Sequence, residues 1–299
     1  MAKERPKREG VQLCYPTESG RVKRLGSEFA VQPKINGERA IVEWFGGAPV
    51  FISSYGNEFR FLDHIKAQIQ PLYKKYGPIP LDGEIYRHGW SRERIDSALR
   101  RTVNRSPDVE GLEYHVFDLR TTDPCIERLN TLYFMYNCSR FPLKPPLDLV
   151  PHYRASEEDW LTLATIFVEL GYEGAILRRL DAPWQAKRTV NMLKFKPTLK
   201  DDYEILEVNE AIDKEGQLKG MVGSFTVKAP DVAEAFKVGA GKMSHERRTE
   251  LWRYRNLLPG RMLTVKHEPI RTSGGVPLCS VAVDLLPERS ESKTSMTTW

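Results

Sequence analysis

The chain has 299 residues, of which 40% are hydrophobic and 28% are charged. This composition is typical of a soluble globular protein, and the length favours two domains. No apolar run approaches the length of a membrane span, and the polar start of the chain lacks the apolar core of a secretory signal. We therefore expect a cytoplasmic protein that does not contact a membrane.

The net charge and the cysteine content limit the ligands and the metal or disulfide sites that the chain could have. The net charge of +5 permits binding to a polyanion without requiring it. The four cysteines are far apart and show no C-x-x-C spacing, and the six histidines are equally scattered. This pattern argues against a disulfide framework, a zinc site or a histidine-based metal centre, and it favours a reducing compartment.

The first informative stretch is Lys34-Ile35-Asn36-Gly37-Glu38-Arg39, which lies between two strand-like runs, Phe29–Gln32 and Ala40–Trp44. Asn36 and Gly37 tolerate left-handed backbone angles, so the sequence predicts a tight turn at which the chain folds back. A lysine held at such an edge near an arginine is a candidate nucleophile toward a phosphate. The ordinary alternative is a solvated hairpin turn.

The rest of the first two thirds mixes short strands with a few helices. Further strands are predicted at Pro49–Ser53, Tyr114–Leu119, Gly174–Arg178 and Met192–Lys196. One helix is predicted to begin near Ser91, with Ile95, Ala98 and Leu99 on its apolar face. A second is predicted to follow a capping box at Ser156 and Asp159, with a core face made of Trp160, Ala164, Phe167 and Leu170.

The pattern changes near residue 200, where glycine-rich turns and short alternating strands begin. Strands are predicted at Tyr203–Val208, Gly223–Val227, Phe236–Val238, Arg261–Val265 and Val281–Leu285, with one helix near Ser244–Trp252. About five strands and one helix in roughly a hundred residues indicate a small Greek-key barrel of the OB type. The expected domains are therefore residues 1–200 and 201–299.

Four segments downstream of Lys34 carry residue types that suit a nucleotide site. Leu81–Tyr86 places Glu84 after a glycine turn at the start of a strand, and Tyr114–Leu119 places Phe117 near a strand end. Glu173 opens a further strand, and Leu193–Lys196 alternates so that its two lysines project to one face. Taken alone, each residue has an ordinary structural explanation as a surface carboxylate, a core aromatic or a solvated lysine.

In order and approximate spacing these segments resemble the nucleotidyltransferase motifs that DNA ligases, RNA ligases and mRNA-capping enzymes share. Lys219–Ser224 and Phe236–Gly241 look like the OB domain of DNA ligases in particular. The resemblance implies an α+β protein: a nucleotidyltransferase (adenylation) domain of antiparallel sheets with flanking helices, followed by a C-terminal OB-fold β-barrel. It points to a small two-domain ATP-dependent DNA ligase of the viral or bacterial type.

By this resemblance Lys34 is the catalytic residue, which attacks the α-phosphate of ATP and forms a lysyl-AMP. Because a free lysine is protonated near neutral pH, it must lose its proton before it can attack. The resemblance implies that Phe117 stacks on adenine, that Lys194 and Lys196 neutralise the α-phosphate, and that Arg39 contacts AMP or the 5′-phosphate of the nick. Gln32 and Ile35 join the nucleotide site, Glu84 touches the ribose or a metal ion, and Glu173 holds Mg²⁺.

The implied cofactors are ATP and Mg²⁺, with Mn²⁺ as a substitute, and the implied partner is nicked duplex DNA bound by a monomer. Such an enzyme would serve DNA repair, replication and recombination. The residues leave three alternatives open: an RNA ligase, a capping guanylyltransferase, and a non-catalytic OB-containing nucleic-acid-binding protein.

Three positions depart from the pattern of these motifs. Asn36 stands where an aspartate is usual, and Ser54 stands where a Ser-Arg-x-Gly segment would carry its arginine. The C-terminal Arg-x-Asp-Lys motif, expected near residues 276–286, is missing from the sequence there. We expect these departures to alter contacts with the metal ion or ribose, with DNA, and with pyrophosphate, respectively.

Overall fold

The structure, a computed structural model, describes residues 8, 10–18, 20–138, 145–228, 234–268, 275–277, 280–285 and 294–296. The chain divides after Lys196 into two compact units, one within Glu4–Lys196 and one within Pro197–Trp299. None of the described helices is long and apolar enough to cross a membrane.

The described part of the first unit contains ten strands and four α-helices. The strands are β1 (Leu13–Pro16), β2 (Phe29–Lys34), β3 (Glu38–Phe45), β4 (Ala48–Ser53), β5 (Leu81–Tyr86), β6 (Glu113–Leu119), β7 (Leu147–Leu149), β8 (Tyr153–Ala155), β9 (Gly174–Arg179) and β10 (Arg188–Phe195). The helices are α1 (Asp63–Tyr76), α2 (Arg92–Leu99), α3 (Cys125–Cys138) and α4 (Trp160–Glu169), with 3₁₀ turns at Val22–Leu25 and Pro107–Gly111.

These strands form two five-stranded sheets. Sheet A has the order β1-β10-β9-β2-β8, and sheet B has the order β4-β3-β5-β6-β7. Neighbours are antiparallel except β1 with β10 and β6 with β7. The largest apolar core packs sheet B against α1 and α2, and a smaller core packs sheet A against α4.

The segment Asn36-Gly37 is not a hairpin turn, so the predicted fold-back is wrong. β2 pairs with β8 and β9 in sheet A, whereas β3 pairs with β4 and β5 in sheet B. The segment therefore passes from one sheet to the other. Neither residue has a positive φ, because the crossing requires no left-handed backbone.

Gly37 is needed there for close packing. A Cβ added at Gly37 would lie 2.5 Å from the carbonyl oxygen of Ile85 and 3.0 Å from the Cβ of Tyr86. Only glycine lets the crossing segment lie this close to β5.

The predicted helix near Ser91 is confirmed as α2. The Ser91 hydroxyl accepts a hydrogen bond from the backbone N–H of Arg94 (3.3 Å), and Ile95, Ala98 and Leu99 are buried. A serine N-cap followed by an apolar stripe is therefore sufficient to mark this helix.

The helix predicted after Ser156 is present as α4, but one of the four residues predicted for its core face is exposed. Ala164 and Phe167 are buried, whereas Leu170 is 58% exposed. Leu170 is the C-terminal cap residue of α4, where the chain leaves the helix and the helical spacing no longer sets the direction of a side chain.

Helices α1 and α3 were not predicted. Helix α1 contains Pro71 and has no side-chain N-cap hydrogen bond, so its sequence shows an internal breaker and no start signal. Helix α3 is rich in aromatic, threonine and asparagine residues, which have modest helix propensity. Tertiary packing overrides local preference in both helices.

The described part of the second unit is mainly β-structure. It contains β11 (Leu199–Ile212), β12 (Leu218–Lys228), β13 (Phe236–Gly239), β14 (Met262–His267), β15 (Val281–Leu285), β16 (Thr294–Met296), α5 (His245–Arg253) and a 3₁₀ turn at Arg255–Leu257. The sheet order is β12-β13-β15-β14-β11-β16, with a further pairing of β11 and β12. Each strand predicted from the sequence overlaps an observed one, and Ser244 caps α5 as its hydroxyl accepts from the Arg247 N–H.

Candidate active site

A cavity of about 380 Å³ lies between the two sheets of the first unit. Its walls come from β1 and the segment before it, from β2, β3, β5, β6, β9 and β10 with residues that adjoin them, and from α2. The nine residues that the sequence predicts for the site all line it: Gln32, Lys34, Ile35, Arg39, Glu84, Phe117, Glu173, Lys194 and Lys196. The fold thus brings together residues spread over more than 160 positions of the chain.

Lys34 and Glu173 meet where β2 ends and β9 begins. The backbone N–H of Glu173 donates to the Lys34 carbonyl (2.9 Å). The Glu173 carboxylate forms ion pairs with the ammonium groups of both Lys34 and Lys196. Burial raises the pKa of Glu173, but the two lysine charges outweigh it and hold this pKa below the ordinary value.

Glu84 lies on the other side of the cavity, in the middle of β5. Its carboxylate accepts a hydrogen bond from the Gly37 N–H (2.9 Å). Burial raises its pKa above the ordinary value, against the opposing effects of Lys34 and that hydrogen bond.

The glycine turn predicted before Glu84 is wrong, because Gly83 lies inside β5. A Cβ on Gly83 would lie 2.5 Å from the carbonyl oxygen of His115 on β6. The glycine marks a close approach between neighbouring strands, a role that the sequence pattern does not distinguish from a turn.

Arg39 is held at the cavity wall by a bidentate pair. Its Nε and Nη2 donate to the two carboxylate oxygens of Asp82 (2.8 and 2.5 Å), and its Nη1 donates to the Gln12 carbonyl (2.7 Å). The guanidinium carbon lies 5.0 Å from the centroid of the Phe117 ring. Arg39 therefore supports the aromatic ring by a cation–π contact.

Phe117 lies within β6, two residues before its end, and is half-buried. Its carbonyl accepts hydrogen bonds from Gln32 Nε2 (3.3 Å) and Arg178 Nη1 (3.0 Å). The position of its ring is thus fixed by the backbone on one side and by Arg39 on the other.

Sequence reasoning missed a buried ionic network below the cavity. Asp82, Asp118 and Arg178 are 0%, 1% and 2% exposed. Arg178 pairs with Asp118, and Trp184 Nε1 donates to Asp82 (3.0 Å). The available signal was a charged residue next to apolar residues in each of three strands, which is unusual in a buried strand unless the charge is paired.

Two further arginines border the cavity. Arg92, on α2, donates to the Gly37 carbonyl and pairs with Glu38. Arg8 donates to the hydroxyl of Tyr55 (3.4 Å), beside the buried Ser54.

Altogether, seven cationic and three acidic side chains line the cavity: Arg8, Lys34, Arg39, Arg92, Arg178, Lys194 and Lys196 against Glu38, Glu84 and Glu173. This excess of positive charge suits a phosphate-bearing ligand.

The cavity offers few metal ligands. Among the residues that the structure describes, no group of three or more His, Cys, Asp or Glu side chains could hold a metal ion. The carboxylates of Glu84 and Glu173 line the cavity as the acidic members of the predicted set.

No family model matches the chain. Curated proteins named DNA ligase from a Kenyan and a South African isolate of African swine fever virus are each 26% identical to it over 279 residues. The match covers 85% of this chain and 62% of each relative. The chain thus spans less than two thirds of the length of these viral relatives.

Solved structures match over almost the whole chain. A Lig E DNA ligase structure has a TM-score of 0.70 at 20% identity and covers 93% of this chain and 99% of its own. The structure described as Pmar-Lig_Pre has a TM-score of 0.78 at 18% identity and covers 94% and 68%. The ATP-dependent DNA ligase of bacteriophage T7, in complex with ATP, has a TM-score of 0.53 at 13% identity and covers 92% and 98%.

These matches establish the fold class: the chain has the mixed α+β nucleotidyltransferase fold of ATP-dependent ligases. The resemblance to ATP-dependent DNA ligases, first stated from the sequence motifs, is confirmed by the curated homologues and the structural neighbours together.

Proposed function

We propose that this protein is an ATP-dependent DNA ligase that seals nicks in duplex DNA through a lysyl-AMP intermediate. The carrying observation is the placement of Lys34 in a cationic cavity together with Phe117, Glu84, Glu173 and Lys196. The DNA ligase names of the curated relatives support DNA over RNA as the substrate.

In the first step the neutral amine of Lys34 attacks the α-phosphorus of ATP. A P–N bond forms, the bond to the β-phosphate oxygen breaks, and pyrophosphate leaves while the amine loses its proton to solvent. Lys194 and Lys196 stabilise the negative charge that develops on the phosphoryl oxygens. Phe117 holds the adenine by stacking, an interaction worth about 1–3 kcal/mol.

In the second step the 5′-phosphate oxygen at the nick attacks the adenylyl phosphorus, which releases Lys34 and leaves AMP on the DNA. In the third step the 3′-hydroxyl attacks that 5′-phosphate and expels AMP. Arg39, through its contacts with Asp82 and Phe117, orients the ring at the nucleotide site.

The ion pair between Lys34 and Glu173 must open before the first step. A protonated lysine that is paired with a carboxylate has no free electron pair for attack. We propose that the triphosphate draws Lys196 and Lys194 toward itself, so that Glu173 loses one of its two cationic partners and its pKa rises toward the ordinary value. Glu173 then accepts a proton from Lys34 more readily and passes it to solvent, which breaks the ion pair and frees the amine for attack. Nucleotide binding and activation of Lys34 are thereby linked.

Mg²⁺ fits this site as an ion shared with the substrate. Mg²⁺ is commonly bound by one or two carboxylates together with substrate phosphates and water, rather than by an all-protein cage. Glu84 and Glu173 would hold it, and it would neutralise charge on the phosphates; Mn²⁺ could replace it.

We further propose that residues 1–200 are the adenylation domain and residues 201–299 an OB-fold domain. The pairings of β11 with both β12 and β14, of β12 with β13 and of β15 with β13 and β14 support a closed five-stranded arrangement. The proposed enzyme acts as a monomer on nicked DNA inside the cell, in repair, replication or recombination.

The test is nick sealing with matched substrates. The protein is incubated with ATP, Mg²⁺ and a 5′-labelled nicked duplex that carries either DNA or RNA on the 3′-hydroxyl side. We expect sealing of the all-DNA nick, loss of sealing in Lys34→Ala, and unchanged sealing in Lys23→Ala, which alters an exposed lysine that does not line the cavity.

Other outcomes would support the alternatives. Preferential sealing of the RNA-containing nick would indicate an RNA ligase. Covalent labelling of Lys34 by α-labelled GTP, without labelling by α-labelled ATP, would indicate a capping enzyme. Duplex binding without sealing or labelling would indicate a non-catalytic binding protein.

A further inference from the structure

Arg178 contacts both walls of the candidate nucleotide site. It lies on β9 of sheet A, where it is 2% exposed. Its Nη1 donates to the side-chain oxygen of Gln32 on β2 (3.2 Å) and to the Phe117 carbonyl on β6 of sheet B (3.0 Å), and its Nη2 pairs with Asp118. One guanidinium therefore joins the two sheets at the floor of the cavity.

This contact also fixes the orientation of the Gln32 side-chain amide. A guanidinium has only donors, so Gln32 must turn its oxygen toward Arg178 and its nitrogen away. The nitrogen then donates to the Phe117 carbonyl (3.3 Å). The remaining lone pair and the second N–H of the amide are thus held in set directions.

We propose that Arg178 is a positioning residue that makes the site select adenine over guanine, by fixing the Gln32 amide and the Phe117 ring. This inference rests on the proposed function, because it assumes that the base lies against Phe117. Adenine and guanine differ at C6, where one carries a donor and the other an acceptor, so a fixed amide discriminates between them whereas a rotating amide does not.

The chain offers a matched control in Arg128 on α3. Arg128 is also 2% exposed and pairs with the same carboxylate, with Nε and Nη2 donating to Asp118 (2.8 and 3.2 Å). Its other bonds go to the carbonyls of Asp123 and Ala182, and it does not line the cavity. Arg128→Lys therefore disturbs the buried pair without touching Gln32 or Phe117.

The experiment measures KM and kcat for lysine labelling with ATP and with GTP in the wild type, Arg178→Lys, Arg178→Met and Arg128→Lys. We expect Arg178→Met to raise the KM for ATP about tenfold, the factor typical of a lost charge-assisted hydrogen bond. Its preference for ATP over GTP should fall. Arg178→Lys should lie between the wild type and Arg178→Met in both the KM for ATP and this preference. Arg128→Lys lowers Tm but keeps the wild-type KM and preference.

The second measurement is the shift in Tm that saturating ATP or GTP produces, which requires no turnover. The difference between the two nucleotide shifts should be large in the wild type and small in Arg178→Met. If Arg178→Met does not fold, the single variant Gln32→Ala is compared with the double variant that also carries Arg178→Lys. Arg178→Lys should change the preference for ATP over GTP only when Gln32 is present.

The inference would be overturned if Arg178→Lys had the same KM for ATP and the same preference for ATP over GTP as the wild type. It would also be overturned if Arg178→Lys and Arg128→Lys changed these two quantities in parallel. A third contradicting result would be an effect of Arg178→Lys that is as large in the Gln32→Ala background as in the wild type. The proposed function would survive each of these outcomes. It fails separately if the wild type is never labelled.

Discussion

Glu173 and Glu84 face the same cavity but respond to it in opposite ways. Two lysines hold the pKa of Glu173 down despite its burial, whereas burial dominates for Glu84 and raises its pKa. Two carboxylates with pKa values displaced in opposite directions are typical of a functional site. Each displacement also changes stability, and the sign differs between the two residues.

Glu84→Gln should stabilise the protein while reducing its activity. A carboxyl with a raised folded-state pKa weakens the native state progressively as the pH rises from its ordinary value of 4.5 through the folded-state pKa. The Tm of Glu84→Gln should therefore exceed that of the wild type at pH 7, by about 2–4 °C for each kcal/mol. The advantage should disappear as the pH falls to 4.5, the ordinary value for a glutamate, and below.

The measurement is thermal unfolding between pH 4 and 8, paired with lysine labelling from ATP at neutral pH. A variant that is less stable than the wild type at pH 7 would contradict this interpretation of Glu84, as would full labelling.

Glu173→Gln should show the opposite pH dependence. A carboxylate with a lowered folded-state pKa stabilises the native state above its ordinary value of 4.5, and this contribution is lost as the pH falls through the folded-state pKa. We therefore expect Glu173→Gln to have a lower Tm than the wild type at pH 7 and a smaller deficit in acid. A deficit that stays constant with pH would show that ionisation of Glu173 does not stabilise the fold.

At the scale of elements, the crossing between β2 and β3 creates the site. Because these strands belong to different sheets, Lys34, the last residue of β2, lies on one wall, and Arg39, the second residue of β3, lies on the other. The crossing passes so close to β5 that a side chain at position 37 has no room. The position of Lys34 is therefore set by backbone packing as well as by its ion pair.

Gly37→Ala tests this point. The added methyl group would lie 2.5 Å from a carbonyl oxygen, so we expect a loss of about 1–3 kcal/mol in the free energy of unfolding and a clear loss of lysine labelling. Gly239→Ala is the control, because its Cβ would have no neighbour within 4 Å, and a change within about 0.5 kcal/mol is expected. Chemical denaturation measures both, and equal effects would rule out close packing as the role of Gly37.

Much of the element pattern can be predicted from the sequence, for reasons that are local. Ser91 and Ser244 are N-cap residues that predict the start of a helix, and alternating apolar residues predict the strands. What could not be predicted depends on tertiary packing. A glycine that admits a neighbouring strand looks like a turn, and helix α1 forms around Pro71 because its apolar face packs against sheet B.

The residues of the candidate site also include some that the sequence predicts and some that it does not. Nine of the residues that line the cavity could be predicted to lie together, because their segments carry recognisable residue types in order. The supporting pairs of Arg39 with Asp82 and of Arg178 with Asp118 could not, because each joins strands whose contact depends on the fold. A single sequence shows that a charge lies within an apolar strand, but it does not show which partner neutralises it.

At the scale of the whole molecule, the net charge of +5 and the cationic cavity predict a salt-dependent interaction with DNA. Binding of a polyanion releases counterions, so kcat/KM for nicked duplex should fall at least about tenfold between roughly 50 and 200 mM salt. Lysine labelling from ATP should change far less, because it involves no nucleic acid. Equal salt dependence of the two reactions would place the effect in the fold or the nucleotide site instead.

The most direct measurement is the location of AMP on the protein. The protein is first treated with pyrophosphate and Mg²⁺ to remove any bound adenylate, then incubated with ATP and Mg²⁺, digested and mapped by mass spectrometry. We predict one adenylylated peptide, with the adduct on Lys34, and none in Lys34→Arg. A protein that carries no adduct after this treatment, or one whose adduct lies on another lysine such as Lys194, would contradict the assignment of Lys34 as the nucleophile.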